Sequence, residues 1–295
     1  MLISLKSTRR NIMIAVTGAS GKLGQLTIES LLKKVSASEV VALVRNPNKV
    51  ENLKKLGVTV RKADYNEPES WGPALAGVKK LFLVSANELG KRHEQHLNVI
   101  RAAQKAGVSH LVYSSILRAD TSKLFLAKEH LATEISIRES KIPSTFLRNS
   151  WYLENHTENL APALQYGVIH GAAKNGKFSS ATRADYALAA ANVLTSEGHA
   201  GKIYELAGDN SFTLTELAEA VSKKSNKPVA YQDHSFEEFK NILVQVGLPE
   251  AVASMLADSD VGASQGELYS DSKDLSKLIG RPTTSLEEAI KVALK

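Results

Sequence analysis

The chain has 295 residues, 43% of them hydrophobic and 23% charged, the composition of an ordinary globular protein. That excludes a disordered, collagen-like or coiled-coil chain, and no apolar run approaches the ~20 residues that a membrane-spanning helix needs. Cysteine is absent, so there is no disulfide framework, thiolate nucleophile or iron–sulfur cluster, and any redox chemistry must come from a bound cofactor. The net charge of +6 is compatible with an anionic ligand. The basic residues are spread out and do not alternate with aromatics, so no nucleic-acid partner is expected. Met1–Asn11 carries Lys6, Arg9 and Arg10 and no acid. It reads as a loose tail rather than a vestigial targeting peptide, and a cytoplasmic location is expected.

From Met13 onward, short apolar runs alternate with helical patterns. Met13–Thr17 (MIAVT) reads as a buried strand. A turn over Gly18–Gly24 follows, then a helix with Leu23, Leu26 and Leu31 at its apolar positions. Val40–Val44 (VVALV) is a second strand ending at Arg45. A short helix over Val50–Leu56, stopped by Gly57, leads to a third strand at Val58–Arg61. Pro68 opens a helix to Leu75, and Lys80–Val84 is a fourth strand. Arg92–Ala106 is a helix ended by Gly107. His110–Ser114, a helix over Leu126–Glu139, and Ser144–Leu147 complete six strands. Apolar strands alternating with helices predict a parallel sheet covered on both faces. This is a Rossmann-type, doubly wound α/β fold.

After Arg148 the rhythm changes. Ala161–Tyr166, Ala184–Leu194, Thr215–Lys224, Ser235–Val246, Asp271–Ile279 and Ser285–Leu294 read as helices, and Lys202–Leu206 as one more strand. The expected organisation is a nucleotide-binding domain over 12–154, to which 181–204 returns. Residues 155–180 and 205–295 would form a smaller, mostly helical substrate-binding domain.

The segment Gly18-Ala19-Ser20-Gly21-Lys22-Leu23-Gly24 stands between the first strand and the first helix. Glycines there allow a tight turn and close approach of backbone to a pyrophosphate, and the helix start favours negative charge. The spacing departs from the dinucleotide fingerprint, because Ser20 replaces its second glycine. The strand–turn–helix context, more than the triplet, carries the nucleotide reading. An NAD site has an acid after the second strand. Here the residue is Arg45, and no acid precedes Glu51. A guanidinium suits a 2′-phosphate, so NADP(H) is expected as cofactor in preference to NAD(H). Asp64, after the third strand, can accept from an adenine amino group or cap a helix. Ser85-Ala86-Asn87-Glu88 lies at the carboxyl edge, where ligands bind in open α/β sheets, and is assigned to the nicotinamide ribose.

The series MIAVTGASGKLG, VVALVRNPNK, KADY, HLVYSS, FLRNSWYLEN, SSATRADYALAAA, KIYELAGD and LADSDVGAS resembles the NAD(P)H-dependent quinone oxidoreductase 2 group. That group belongs to the NmrA-like branch of the atypical short-chain dehydrogenases. The resemblance runs from about Met13 to the C-terminus, and its long C-terminal matches are more specific than the glycine turn. It implies an NADPH-binding Rossmann domain, a small C-terminal domain and a quinone held between them. Cofactor contacts carry over to Gly18–Leu23, Arg45, Ser85–Glu88, the segment Asn149–Tyr152, and Ala181–Tyr186 with its Arg183.

A short-chain dehydrogenase acting on alcohols places a tyrosine proton donor four residues before a lysine. Lys128 lies in the right region, but position 124 is leucine, so that donor is missing. A quinone needs less. Hydride transfer leaves a delocalised hydroquinone anion that water can protonate, and the protein mainly holds the ring against the nicotinamide. Asn149, Trp151, Tyr152 and Phe178 are the candidate wall for the quinone, with interdomain packing as the competing reading of Trp151 and Tyr152. Lys128 is a candidate contact to the cofactor or simply an exposed lysine, and His130 a proton relay or a structural histidine. His93 and His96 lack further ligands and read as helix-face residues, so no metal is expected. The expected function is an NADPH:quinone oxidoreductase, with a homodimer as one candidate assembly. The alternative is a non-enzymatic NADP(H) sensor of the NmrA type, which the missing tyrosine fits equally well.

Overall fold

The computed structural model describes residues 12–295; the tail expected at Met1–Asn11 lies outside them. The chain runs β1 (Met13–Val16), α1 (Lys22–Leu32), β2 (Val40–Val44), α2 (Glu51–Lys55), β3 (Thr59–Lys62), α3 (Trp71–Ala74) and β4 (Val78–Leu83). It continues through α4 (Arg92–Ala106), β5 (His110–Ile116), α5 (Phe125–Glu139) and β6 (Ser144–Asn149). Beyond β6 come α6 (Glu154–Thr157), α7 (Ala161–Tyr166), β7 (Val168–Gly171), α8 (Arg183–Thr195) and β8 (Ile203–Leu206). The last elements are α9 (Leu214–Ser225), β9 (Ala230–Asp233), α10 (Phe236–Gln245), α11 (Glu250–Ser264), α12 (Asp274–Ile279) and α13 (Leu286–Ala293).

Seven parallel strands form one sheet in the order β3-β2-β1-β4-β5-β6-β8. The direction of winding reverses between β1 and β4. All five residues of β2 are buried, as a strand covered on both faces requires. Side-chain alternation sorts each strand onto two cores. Ile14, Val16, Val40, Ala42 and Val44 pack with α1 and α8 residues on one face. Ala15, Val41, Leu43, Leu81 and Leu83 pack with Trp71, Val99 and Ala103 on the other. A third cluster around Phe178, Phe212, Leu217 and Ile290 holds the C-terminal lobe, where β7 and β9 pair as a short parallel ribbon. Capping boxes start α9, α10 and α13 at Thr213/Glu216, Ser235/Glu238 and Ser285/Glu288.

Buried charge ties the far half of the sheet together. Arg148 on β6 gives Nε and Nη2 to Glu134 of α5 at 2.9 and 2.8 Å, and Nη1 to Asp120 and Glu205 at 2.8 and 2.9 Å. Glu134 also accepts from Ser115 at 2.7 Å and Arg138 at 3.0 Å. One guanidinium thereby links β5, β6, β8 and α5.

Candidate active site

After β1 the chain turns at Gly18, whose φ of +57° is left-handed backbone that glycine adopts without strain. Helix α1 begins at Lys22, and among the described residues no side chain caps it. An uncapped helix start at the end of a parallel strand is an anion site. Gly24 shows how tightly the helix sits on the turn. A β-carbon there would stand 2.5 Å from the Gly18 carbonyl oxygen and 2.9 Å from Ala19 Cα.

A cleft of about 540 Å³ opens beside this turn. Four strand ends wall it: Gly18–Gly24 after β1, Arg45 after β2, Asp64 and Tyr65 after β3, and Ser85–Glu88 after β4. Arg92 and Gln95 of α4 close its floor, and Tyr152 and Arg183 face them from the other side. This is the switch point of the sheet, where open α/β folds bind ligands. Arg45 is exposed on the rim. Asp64 Oδ1 accepts from the Asn66 amide at 3.0 Å, closing an Asx turn, and the Asp64 carbonyl accepts from the Trp71 indole at 2.8 Å.

The Ser85–Glu88 loop is fixed from behind. The Ser85 amide donates to Ser114 Oγ at 2.8 Å, and the Ala86 amide to His96 Nε2 at 2.9 Å. Arg92 Nε donates to the Ala86 carbonyl at 2.6 Å, and its Nη1 pairs with Glu129 at 3.1 Å. Glu88 accepts from Asn66, which in turn accepts from Gln95. Burial, helped by the Arg92 charge and by His93, holds the His96 pKa down at about 3.

On the opposite wall, the Arg183 guanidinium lies 4.7 Å over the Tyr152 ring. It pairs at 2.7 Å with Glu158, which also takes Lys22 of the glycine turn at 2.6 Å. Burial raises the Tyr152 pKa, against the opposing pull of Asn149 and Arg183.

The model of the NmrA-like family matches residues 10–289. The chain belongs to the NmrA-like family. This NmrA-like protein is 55% identical over 278 residues to quinone oxidoreductase 2 of Escherichia coli K12, spanning 94% of this chain and 97% of that protein. It superposes on the crystal structure of E. coli NADPH-dependent quinone oxidoreductase QOR2 complexed with NADPH with a TM-score of 0.94. Identity there is 54%, over 96% of this chain and 100% of the other. Triphenylmethane reductase of Citrobacter sp. complexed with NADP(H) gives a TM-score of 0.92 at 46% identity, over 95% of this chain and 99% of the other.

In the NmrA-like chain most of the residues singled out from sequence meet in one cleft: Gly18, Ser20–Leu23, Arg45, Asp64, Ser85–Glu88, Tyr152 and Arg183. Ala19 is fully buried and supports the turn from behind, its amide donating to Leu43. Asn149 is buried at the end of β6, and its Oδ1 has no hydrogen-bond partner among the described residues.

Four candidates fall outside the cleft lining, which corrects the site reading of each. Phe178 is fully buried, its ring 4.9 Å from His156 and 6.0 Å from Phe212, so it belongs to the lobe core and not to a quinone wall. Trp151 is half-buried against the same cluster. Lys128 stands on the exposed side of α5, outside the cleft lining. His130 is buried, its Nδ1 sharing a 2.8 Å hydrogen bond with the Tyr113 hydroxyl, the place of a structural histidine.

Reading the sequence also missed Arg92 and Gln95 and took His96 for a helix-face residue. The available signal was their spacing: with Val99 they occupy the i, i+3, i+4, i+7 stripe that α4 turns inward. Polar residues on such a stripe need buried partners. A second cavity of about 540 Å³ lies at the opposite, amino end of the strands beside Lys80, His110 and His199, and holds none of the predicted site residues. No group of three His, Cys, Asp or Glu among the described residues could hold a metal, and no helix among them is long and apolar enough to cross a membrane.

Proposed function

We propose that this chain is an NADPH-dependent quinone oxidoreductase. The observation that carries the reading is a single rim on which the uncapped start of α1 and the Arg45 guanidinium border one cleft. Its end-to-end similarity to a quinone oxidoreductase supports an enzyme rather than a sensor.

The cleft suits the dinucleotide. The absence of a β-carbon at Gly24 keeps α1 close to the turn, and the free amides of its first turn would receive the pyrophosphate. Arg45 would take the 2′-phosphate, Asp64 and Tyr65 would flank the adenosine, and Ser85–Glu88 would border the nicotinamide ribose. Tyr152, on the cleft wall, would border the acceptor ring, with Asn149 buried behind the lining. Bound NADPH supplies the hydride. The chain supplies position: with Leu124 buried where a tyrosine donor would stand, no side chain there delivers a proton, and the reduced acceptor takes it from solvent. The quinone as the cellular acceptor and a cytoplasmic site of action belong to the same proposal.

The test is quinone-dependent loss of nicotinamide absorbance by the purified protein, with NADPH strongly preferred to NADH. Tight NADPH binding without turnover on any soluble quinone would favour the sensor instead.

A further inference from the structure

We propose that His96, backed by Thr133, is a positioning residue that fixes the Ala86 peptide and through it the nicotinamide end of the cleft. The inference rests on the dinucleotide reading above.

The geometry leaves little freedom. Ala86 lines the cleft, yet both of its backbone polar groups point away into α4: the amide to His96 Nε2 at 2.9 Å, the carbonyl to Arg92 Nε at 2.6 Å. A backbone N–H can only donate, so Nε2 must carry the lone pair and the ring proton must sit on Nδ1. Nδ1 lies 2.9 Å from Thr133 Oγ1, which in turn donates to the Glu129 carbonyl at 2.9 Å. Every link in the chain from Ala86 to Glu129 therefore has one direction. The ring is completely buried and meets Tyr65 and Tyr113 edge-on at 6.1 and 5.4 Å. Arg92 is itself held by Glu129, so one residue of α5 anchors both arms of the clamp.

With the N–H of the Ser85–Ala86 peptide and the C=O of the Ala86–Asn87 peptide both turned inward, Ala86 itself would offer the ligand only its methyl group, and recognition passes to Ser85 and Asn87 on either side. Without the clamp, the peptide can rotate and aim a bare carbonyl or amide at the cofactor. A misplaced nicotinamide affects binding and hydride transfer together, whereas a defect confined to folding would lower only the amount of active protein.

The test compares His96→Leu with His96→Gln. Glutamine can still accept from the Ala86 amide through Oε1 and donate toward Thr133 through Nε2; leucine can do neither. Loss of this buried hydrogen bond in His96→Leu should raise the NADPH Kd roughly tenfold, with kcat also reduced, while His96→Gln should stay within about threefold of the parent by the same reckoning. Thr133→Val, which leaves the loop and α4 untouched, should move Kd in the same direction, and Thr133→Ser should restore it. These two variants carry the test if His96→Leu does not fold. In the cofactor-free protein, ¹⁵N spectra of the His96 ring should show the Nδ1–H tautomer, unchanged across neutral pH. An Nε2–H tautomer, a ring that titrates near pH 6.5, or equal NADPH affinity in His96→Leu and the parent would overturn the proposal. A parent protein that binds no NADPH would refute the dinucleotide reading instead, before any variant is compared.

Discussion

Replacing Arg45 with alanine tests the choice of cofactor. Arg45 is exposed on the rim of the cleft, so its attraction to a phosphate is felt through water-like surroundings. For a guanidinium about 4 Å from a dianion at ε ≈ 80, Coulomb's law gives ~2 kcal/mol, and screening at physiological salt reduces this to ~1.3 kcal/mol. Halving the effective dielectric constant, as partial shielding by the bound cofactor would, gives ~2.5 kcal/mol. Arg45→Ala should then raise the NADPH Kd by about ten- to seventyfold and change the NADH Kd less than about twofold. The penalty should shrink as salt is added. Fluorescence titration with each cofactor at two salt concentrations reads all three outcomes. Equal losses for NADPH and NADH, or no loss for either, would refute the assignment of Arg45 to the 2′-phosphate.

Glu134→Ala leaves Arg148, whose side chain is 4% exposed, without its main partner. It should cost about 3–5 kcal/mol, visible as a lower urea midpoint; a shift below about 1 kcal/mol would show that Asp120 and Glu205 carry the charge alone. Gly24→Ala should displace α1 from the turn, destabilise by about 1–3 kcal/mol and weaken NADPH binding. Gly72→Ala, whose new methyl group meets nothing within 4 Å beyond its chain neighbours and its own helix backbone, should leave NADPH binding unchanged. Burial lowers the pKa of His96 to about 3 and those of His110 and His156 to about 4. The unfolded chain therefore binds more protons than the native one between pH ~6.5 and those values, and stability should fall on acidification through that window. Asp260, raised by burial to about 7, opposes this, because its native form holds a proton that the unfolded form has released. Asp260→Asn should accordingly steepen the acid loss and stabilise the protein above pH ~7; unfolding free energies flat between pH ~4 and ~6.5 would contradict the assignment.

What could be read from sequence followed the range of the interactions involved. The run VVALV and the Gly18–Gly24 turn announce themselves locally, and β2 and the mouth of the cleft lie where those residues predict. Helix α11 (EAVASMLADSDVGAS) was missed because small residues replace a large apolar stripe, which suits a helix whose Gly262 sits directly against Leu124. Strands β7 and β9, at four residues each, are too short for alternation to register and pair only with one another. Phe178 could not be separated from a cleft residue because its place is set by Phe212, to which it bridges from a distant part of the chain. His96 lay in view, but its meaning depended on a loop ten residues earlier folding back onto it.

The outermost strand of the sheet, β8, reaches β6 only after α6, α7, β7 and α8 have been made. During synthesis the first six strands therefore leave the ribosome with one flank unpaired, and it stays so until Leu206 emerges. A fragment stopped at Asn149 would keep that flank open permanently, a template for foreign strands. The nucleotide-binding half is thus no portable module: its last plank is delivered from beyond the segment that starts the other lobe.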